Sequence, residues 1–166
     1  MSNLFSFLSQ LQVIIICFIS MLIIGFIFSF APEMVGGELL DLLYTETEAK
    51  ARLLEMSAEQ KHYHLLYTII LDSFYPIAYG GLLIGVASKF SGERQLLATL
   101  PAIVTVVSDF TENLMHTFAL LEFENFLVLK DVLTPLKFYA FTLAALIALL
   151  LALIAFIKWA YQRIRA

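Results

Sequence analysis

The residues able to do chemistry in this sequence fall into two stripes. His64, Thr68, Asp72, Tyr75 and Tyr79 follow one another at steps of four, four, three and four. Thr105, Asp109, Glu112 and His116 follow at steps of four, three and four, and Asn113 lies four past Asp109. On an α-helix such steps keep one face. Each stripe therefore presents carboxylate and imidazole groups together, with phenols on the first and an amide on the second.

Three kinds of chemistry fit this set. The first is metal-dependent or acid/base chemistry on a lipid or small membrane-embedded substrate. Glu112 and His116, four apart, can reach one divalent ion, and Asp72 and Asp109 complete a nitrogen-and-oxygen shell suited to zinc, manganese or iron. Those four are the candidate metal ligands. The spacing Glu-x-x-x-His is one residue longer than the Glu-x-x-His of di-metal bundles. An ion with an open position would activate water for hydrolysis. Tyr75 would orient a ligand or act as an acid. Asp72, Tyr75, Asp109, Glu112 and His116 are thus the candidate catalytic residues. His64, Tyr79 and Asn113 are the candidate binding residues.

The second kind is a proton or ion pathway, or a ligand pocket. Intramembrane Asp, Glu and His groups serve such roles, and the small number of helices would then favour a homo-oligomer. The third is an interhelical hydrogen-bonded network in an accessory subunit that docks a partner membrane protein. Such bonds average well under about 2 kcal/mol each. An acid at a helix centre costs on the order of 2.5–3.5 kcal/mol on insertion scales, so three acids are a poor exchange for packing alone. A haem between His64 and His116 is disfavoured by the acids beside both. An aspartate dyad of Asp72 and Asp109 has no supporting local motif.

The elements that carry the stripes are legible from hydropathy. Of 166 residues, 61% are hydrophobic, and the mean hydropathy is +0.88. The apolar residues collect in long runs separated by charged stretches. These runs predict an all-α, polytopic membrane protein: one transmembrane domain over 1–166, a bundle of four helices at 11–31, 65–88, 96–121 and 136–159. A polar, helical extramembrane segment over 32–64 joins the first two. Met1 to Gln12 has no Lys or Arg, and the apolar run is longer than a signal peptide's, so the first helix is expected to be retained.

Local signals set the ends. Pro32 is expected to stop helix one. Thr45 with Glu48, and Ser57 with Gln60, read as capping boxes. Pro76 is expected to kink helix two, and Gly81 with Gly85 to give it a close-packing face. Thr134-Pro135 is expected to start helix four. Helices two and three are antiparallel neighbours, so Tyr79 should lie level with Asp109, and Tyr75 with Glu112 and Asn113. Asp72 and His116 should both sit roughly 10 Å inside the outer boundary.

Other classes are excluded. The net charge of −4 and the absence of a basic patch argue against nucleic acid as a partner. The single cysteine, Cys17, cannot form an internal disulfide. No P-loop, dinucleotide fingerprint or nucleophile elbow is present. Membrane lipids are the expected partners. Lys89, Arg94, Lys158, Arg163 and Arg165 cluster at short connections on one side. They place both termini in the cytoplasm of a plasma or inner membrane.

Overall fold

Apolar runs several helical turns long, separated by capping and turn residues, make this chain all-α. The computed structural model describes residues 2–165, and no strand occurs among them. The elements are α1 (Ser2–Leu8), α2 (Leu11–Phe28), α3 (Ala31–Val35), α4 (Glu46–Glu55), α5 (Ala58–Ile69), α6 (Leu71–Phe90), α7 (Gln95–Leu120) and α8 (Lys130–Arg165). Short 3-10 helices occupy Leu40–Leu42, Gly92–Arg94 and Glu124–Leu129.

Helices α6 and α7 form the inner pair; α2 packs on α6, and α8 lies against both α7 and α6. The close approach of α1 and α2 to α6 needs glycine. A Cβ at Gly81 would lie 2.6 Å from Cys17 Sγ, and one at Gly85 would lie 2.5 Å from the Leu8 carbonyl oxygen. Tyr79, Leu83, Ala102, Ala144 and Ala148 fill the space between α6, α7 and α8.

The segment after α2 folds over one end of this bundle. Val35, Leu40, Leu53 and Met56 pack with Met115 and Leu120 at the C-terminal end of α7. Arg52 ties the segment together: its Nε donates to the Glu38 carbonyl at 3.0 Å and its Nη2 to that of Val35 at 2.8 Å. The Glu46 amide donates to Asp131 Oδ1 at 2.7 Å, joining α4 to the start of α8.

Three stretches are long and apolar enough to cross a membrane: Leu11–Val35, Ala58–Phe90 and Glu124–Arg165. The expected fourth, α7, has 26 residues but is not among them. Its polar stripe lowers its average, although Val107, Phe110, Leu114 and Phe118 make its outer face apolar.

Both capping boxes form as expected. Several ends differ. Helix α2 stops at Phe28, and Pro32 is the second residue of α3, which closes on Gly36 at φ +72°. Within the 32–64 segment, expected to be helical, Leu40–Leu42 form only a 3-10 turn, with Leu40 buried. Helix two breaks at Ile70 (φ −94°, ψ −72°), and α6 runs on through Pro76. Helix α8 starts at Lys130, not at Leu136, with Pro135 inside its second turn.

Candidate functional site

The hub of the site is Glu112, which is fully buried. Its helix, α7, turns Thr105, Asp109, Glu112, Asn113 and His116 inward on one face. Opposite lies a stripe of α8 with the same period: Lys130, Thr134 and Lys137, all buried. Glu112 Oε1 accepts from Lys130 Nζ at 2.8 Å and from the Thr134 hydroxyl. Glu112 Oε2 lies 2.6 Å from Lys137 Nζ.

Both lysines are fully engaged. An ammonium has three protons to donate. Lys130 reaches Glu112, His116 Nε2 at 3.2 Å and Thr134 Oγ1 at 3.2 Å. Lys137 meets three carboxylates: Glu112, Asp41 and, at 3.4 Å, Asp109 Oδ1. Asp41 comes from the 3-10 turn of the overlying segment. The network therefore draws charges from the segment over the bundle, from α7 and from α8.

The two expected stripes do face each other. The Tyr79 hydroxyl donates to Asp109 Oδ2 at 2.6 Å. Asn113 Nδ2 donates to the backbone carbonyl of Asp72 at 2.7 Å. That carbonyl is the one Pro76, four residues on, cannot bond, because proline has no N–H. Asn113 thus repairs the gap that Pro76 makes in α6, and its Oδ1 is left buried without a partner.

Tyr75 packs its ring on Phe28 of α2 (centroids 5.5 Å apart) and on Tyr79 (5.4 Å). His64 makes its hydrogen bonds to groups other than the carboxylates. Its Nε2 accepts from the Leu40 amide at 2.9 Å, so Nδ1 carries the proton toward Thr68 Oγ1 at 3.3 Å. It anchors the turn that presents Asp41.

The metal-ligand geometry is split. Asp41, Glu112 and His116 offer ligand atoms within 4.8 Å of one another, and so do Asp41, Asp72 and Asp109. The expected set of Asp72, Asp109, Glu112 and His116 is divided between these groups, and Asp41 belongs to both. An ammonium already stands beside Glu112, His116, Asp41 and Asp109. A dication there would face like charge worth on the order of 4 kcal/mol per unit pair at about 4 Å.

Sequence reasoning missed Lys130, Thr134, Lys137 and Asp41. The first three carry the same signal as the α7 stripe, steps of four and three. That signal was masked by Pro135, which reads as a helix start. Asp41 has no periodic signal, because it lies on a turn.

Two cavities reach the network. One, of about 320 Å³, is bounded by α2, the Leu40–Leu42 turn and α6, with Asp41, Asp72 and Tyr75 on its wall. The other, of about 150 Å³, lies toward α8, with Asp41, Tyr75, Tyr79, Asp109 and Lys137 on its wall. Asp41 and Tyr75 line both. Comparison of the chain with protein-family models, with curated proteins and with solved structures returns no match.

Proposed function

We propose that this chain is a four-span membrane protein whose buried Asp–Lys–Tyr site performs acid/base chemistry on a lipid or small membrane-embedded molecule. The observation that carries the reading is that two cavities share Asp41 and Tyr75 in their walls, with Asp72 on one and Asp109, Tyr79 and Lys137 on the other. Apolar walls suit a substrate that enters from lipid, while the few convergent polar groups would fix its reacting end. Asp109 is the base in this reading. It holds the Tyr79 hydroxyl on one oxygen and Lys137 on the other, so a proton taken up there has a short route to either neighbour. Lys137 would stabilise negative charge that develops on the substrate.

In the proposed topology α2, the α5–α6 pair, α7 and α8 cross the bilayer. Both termini lie in the cytoplasm of a plasma or inner membrane, and the 36–56 segment covers the site on the outer side. Surrounding lipids are the partners.

The test uses the full chain reconstituted in vesicles of a total lipid extract, with lipid mass spectra followed over time. Time-dependent change in a lipid class that disappears in Asp109→Asn and in Lys137→Met supports the reading. A spectrum unchanged by wild-type protein sinks it.

A divalent metal is the second reading, favoured by the clustering of Asp41, Asp72 and Asp109 ligand atoms within 4.8 Å. Elemental analysis of purified protein separates the two. Stoichiometric metal that is lost in Asp41→Asn and in Asp72→Asn would replace the acid/base reading with a metal-dependent one.

A further inference from the structure

Asp72 is the carboxylate that the network leaves out. The residue is 6% exposed, and Asn113 takes its backbone carbonyl. Among the described residues no hydrogen bond or ion pair reaches its carboxylate oxygens, whereas Asp41, Asp109 and Glu112 each hold a lysine. Four carboxylates (Asp41, Asp72, Asp109, Glu112) share two ammonium groups (Lys130, Lys137), and both ammonium groups are occupied elsewhere. A Asp72 oxygen lies within 4.8 Å of one from Asp41 and one from Asp109. Burying a carboxylate unpaired is costly, and an arriving cation removes that cost.

The cavity beside Asp72 indicates which cation. Its volume, about 320 Å³, is that of a small-molecule pocket. Beyond Asp72 and Asp41 its wall is mostly ring and hydrocarbon, from Phe28 and Tyr75 (set at 70°), Pro32, Leu39 and Leu42, with Ser29 and the Tyr75 hydroxyl as the other side-chain oxygens. A hard metal ion seeks about six or more oxygen ligands, whereas most of this wall is carbon. An organic ammonium suits such a wall: its charge meets the carboxylate, its methyl or methylene shell meets the aromatic faces, and its tail meets the apolar wall.

We infer that this cavity binds the head of an amphiphilic ammonium compound, with Asp72 as counter-ion and Phe28 and Tyr75 as the aromatic wall. The inference rests on the acid/base reading for its role: it names the substrate class, with the polar end of the molecule delivered to Asp41 and Tyr75, which line both cavities.

The experiment is calorimetric titration of the full chain in a maltoside detergent with butyltrimethylammonium and with its neutral carbon isostere, 2,2-dimethylhexane. Saturable binding of the ammonium alone, weakened about tenfold or more in Asp72→Asn, is the expected result. Gly25→Leu gives an independent arm. A Cβ at Gly25 stands 3.8 Å from the Tyr75 hydroxyl, an ordinary contact, so the longer side chain fills the cavity and leaves the carboxylate in place. It should abolish binding with helicity intact, which keeps the test valid if Asp72→Asn does not fold. Absence of saturable binding to wild type, equal binding of the isostere, or unchanged binding in both variants overturns the inference. So does binding of Mn²⁺ at the same site without the ammonium. Ammonium binding with no lipid chemistry upholds the inference and sinks the reading above. Lipid chemistry without ammonium binding does the reverse.

Discussion

Glu112 shows at the residue scale why a buried charge network constrains a sequence. With no exposure and two lysines on its carboxylate, it cannot lose Lys130 without depending on Lys137 alone, which Asp41 and Asp109 also hold. Breaking one side of such a pair costs about 3–5 kcal/mol, whereas replacing both sides with neutral groups costs far less. Lys130→Met should therefore destabilise the protein by about that amount, and Lys130→Met combined with Glu112→Gln should regain much of the loss. The measurement is unfolding in mixed micelles across the double-mutant cycle. Equal stability of Lys130→Met and wild type would show that the Glu112 charge is not held as described. The sequence already pointed to Glu112, Asp109, Tyr79 and Asn113, because a helical step of three or four survives any error in helix ends. It did not point to Lys130 and Lys137. Their helix begins before the proline that seems to open it, and a lysine near a chain bend reads as solvated unless three buried acids are asked where their counter-ions lie.

At the scale of the element, the argument turns on which backbone groups each residue serves. Pro76 leaves the Asp72 carbonyl without its helical donor, and Asn113 supplies one from α7. Leaving that carbonyl unsatisfied costs about 1–3 kcal/mol. Asn113→Ala should lose about this much in the wild-type background and clearly less in Pro76→Ala, where the returned N–H can bond Asp72 again. Equal losses in both backgrounds, read by the same unfolding assay, would break the link between the two residues.

Helix α4 offers a pH-dependent counterpart. The Thr45 hydroxyl first, then the Tyr44 and Thr45 amides, hold the exposed Glu48 carboxyl below its ordinary range. A depressed folded value stabilises the cap above the unfolded value of about 4.3 and loses that effect as pH falls through the folded value. Hydrogen-exchange protection of the first α4 amides should therefore drop below about pH 4. In Glu48→Gln the protection should be pH-independent, since glutamine can serve the same cap. A pH dependence retained in that variant would assign the effect to another group. Both capping boxes were legible because they are strictly local. The break at Ile70 and the start of α8 were not, because they follow from how α5 and α8 dock on α7.

For the whole molecule, the open question is whether α7 crosses the bilayer. Average apolarity speaks for three spans. The average mixes two faces, however: α7 turns its charges toward α6 and α8, where Tyr79, Lys130 and Lys137 meet them, and exposes Val107, Phe110, Leu114 and Phe118 outward. A lipid-facing surface needs only the outer face to be apolar. Charge placement agrees with four spans. Lys130 and Lys137 are buried in the site, so they leave the count of surface bases on the segment side, while Lys89, Arg94, Lys158, Arg163 and Arg165 stay exposed on the other. The parity of spans is measurable. In a Cys17→Ser background, single cysteines at the exposed positions Glu59, Glu93 and Gln162 are treated with an impermeant maleimide in right-side-out and inverted vesicles. Four spans with cytoplasmic termini require Glu93→Cys and Gln162→Cys to react only from the cytoplasmic side, and Glu59→Cys only from the outside. If α7 does not cross, Gln162→Cys moves to the side of Glu59→Cys while Glu93→Cys stays. That result would remove the four-span topology, and with it the need for lysines from α8 to neutralise acids of α7 within the bilayer.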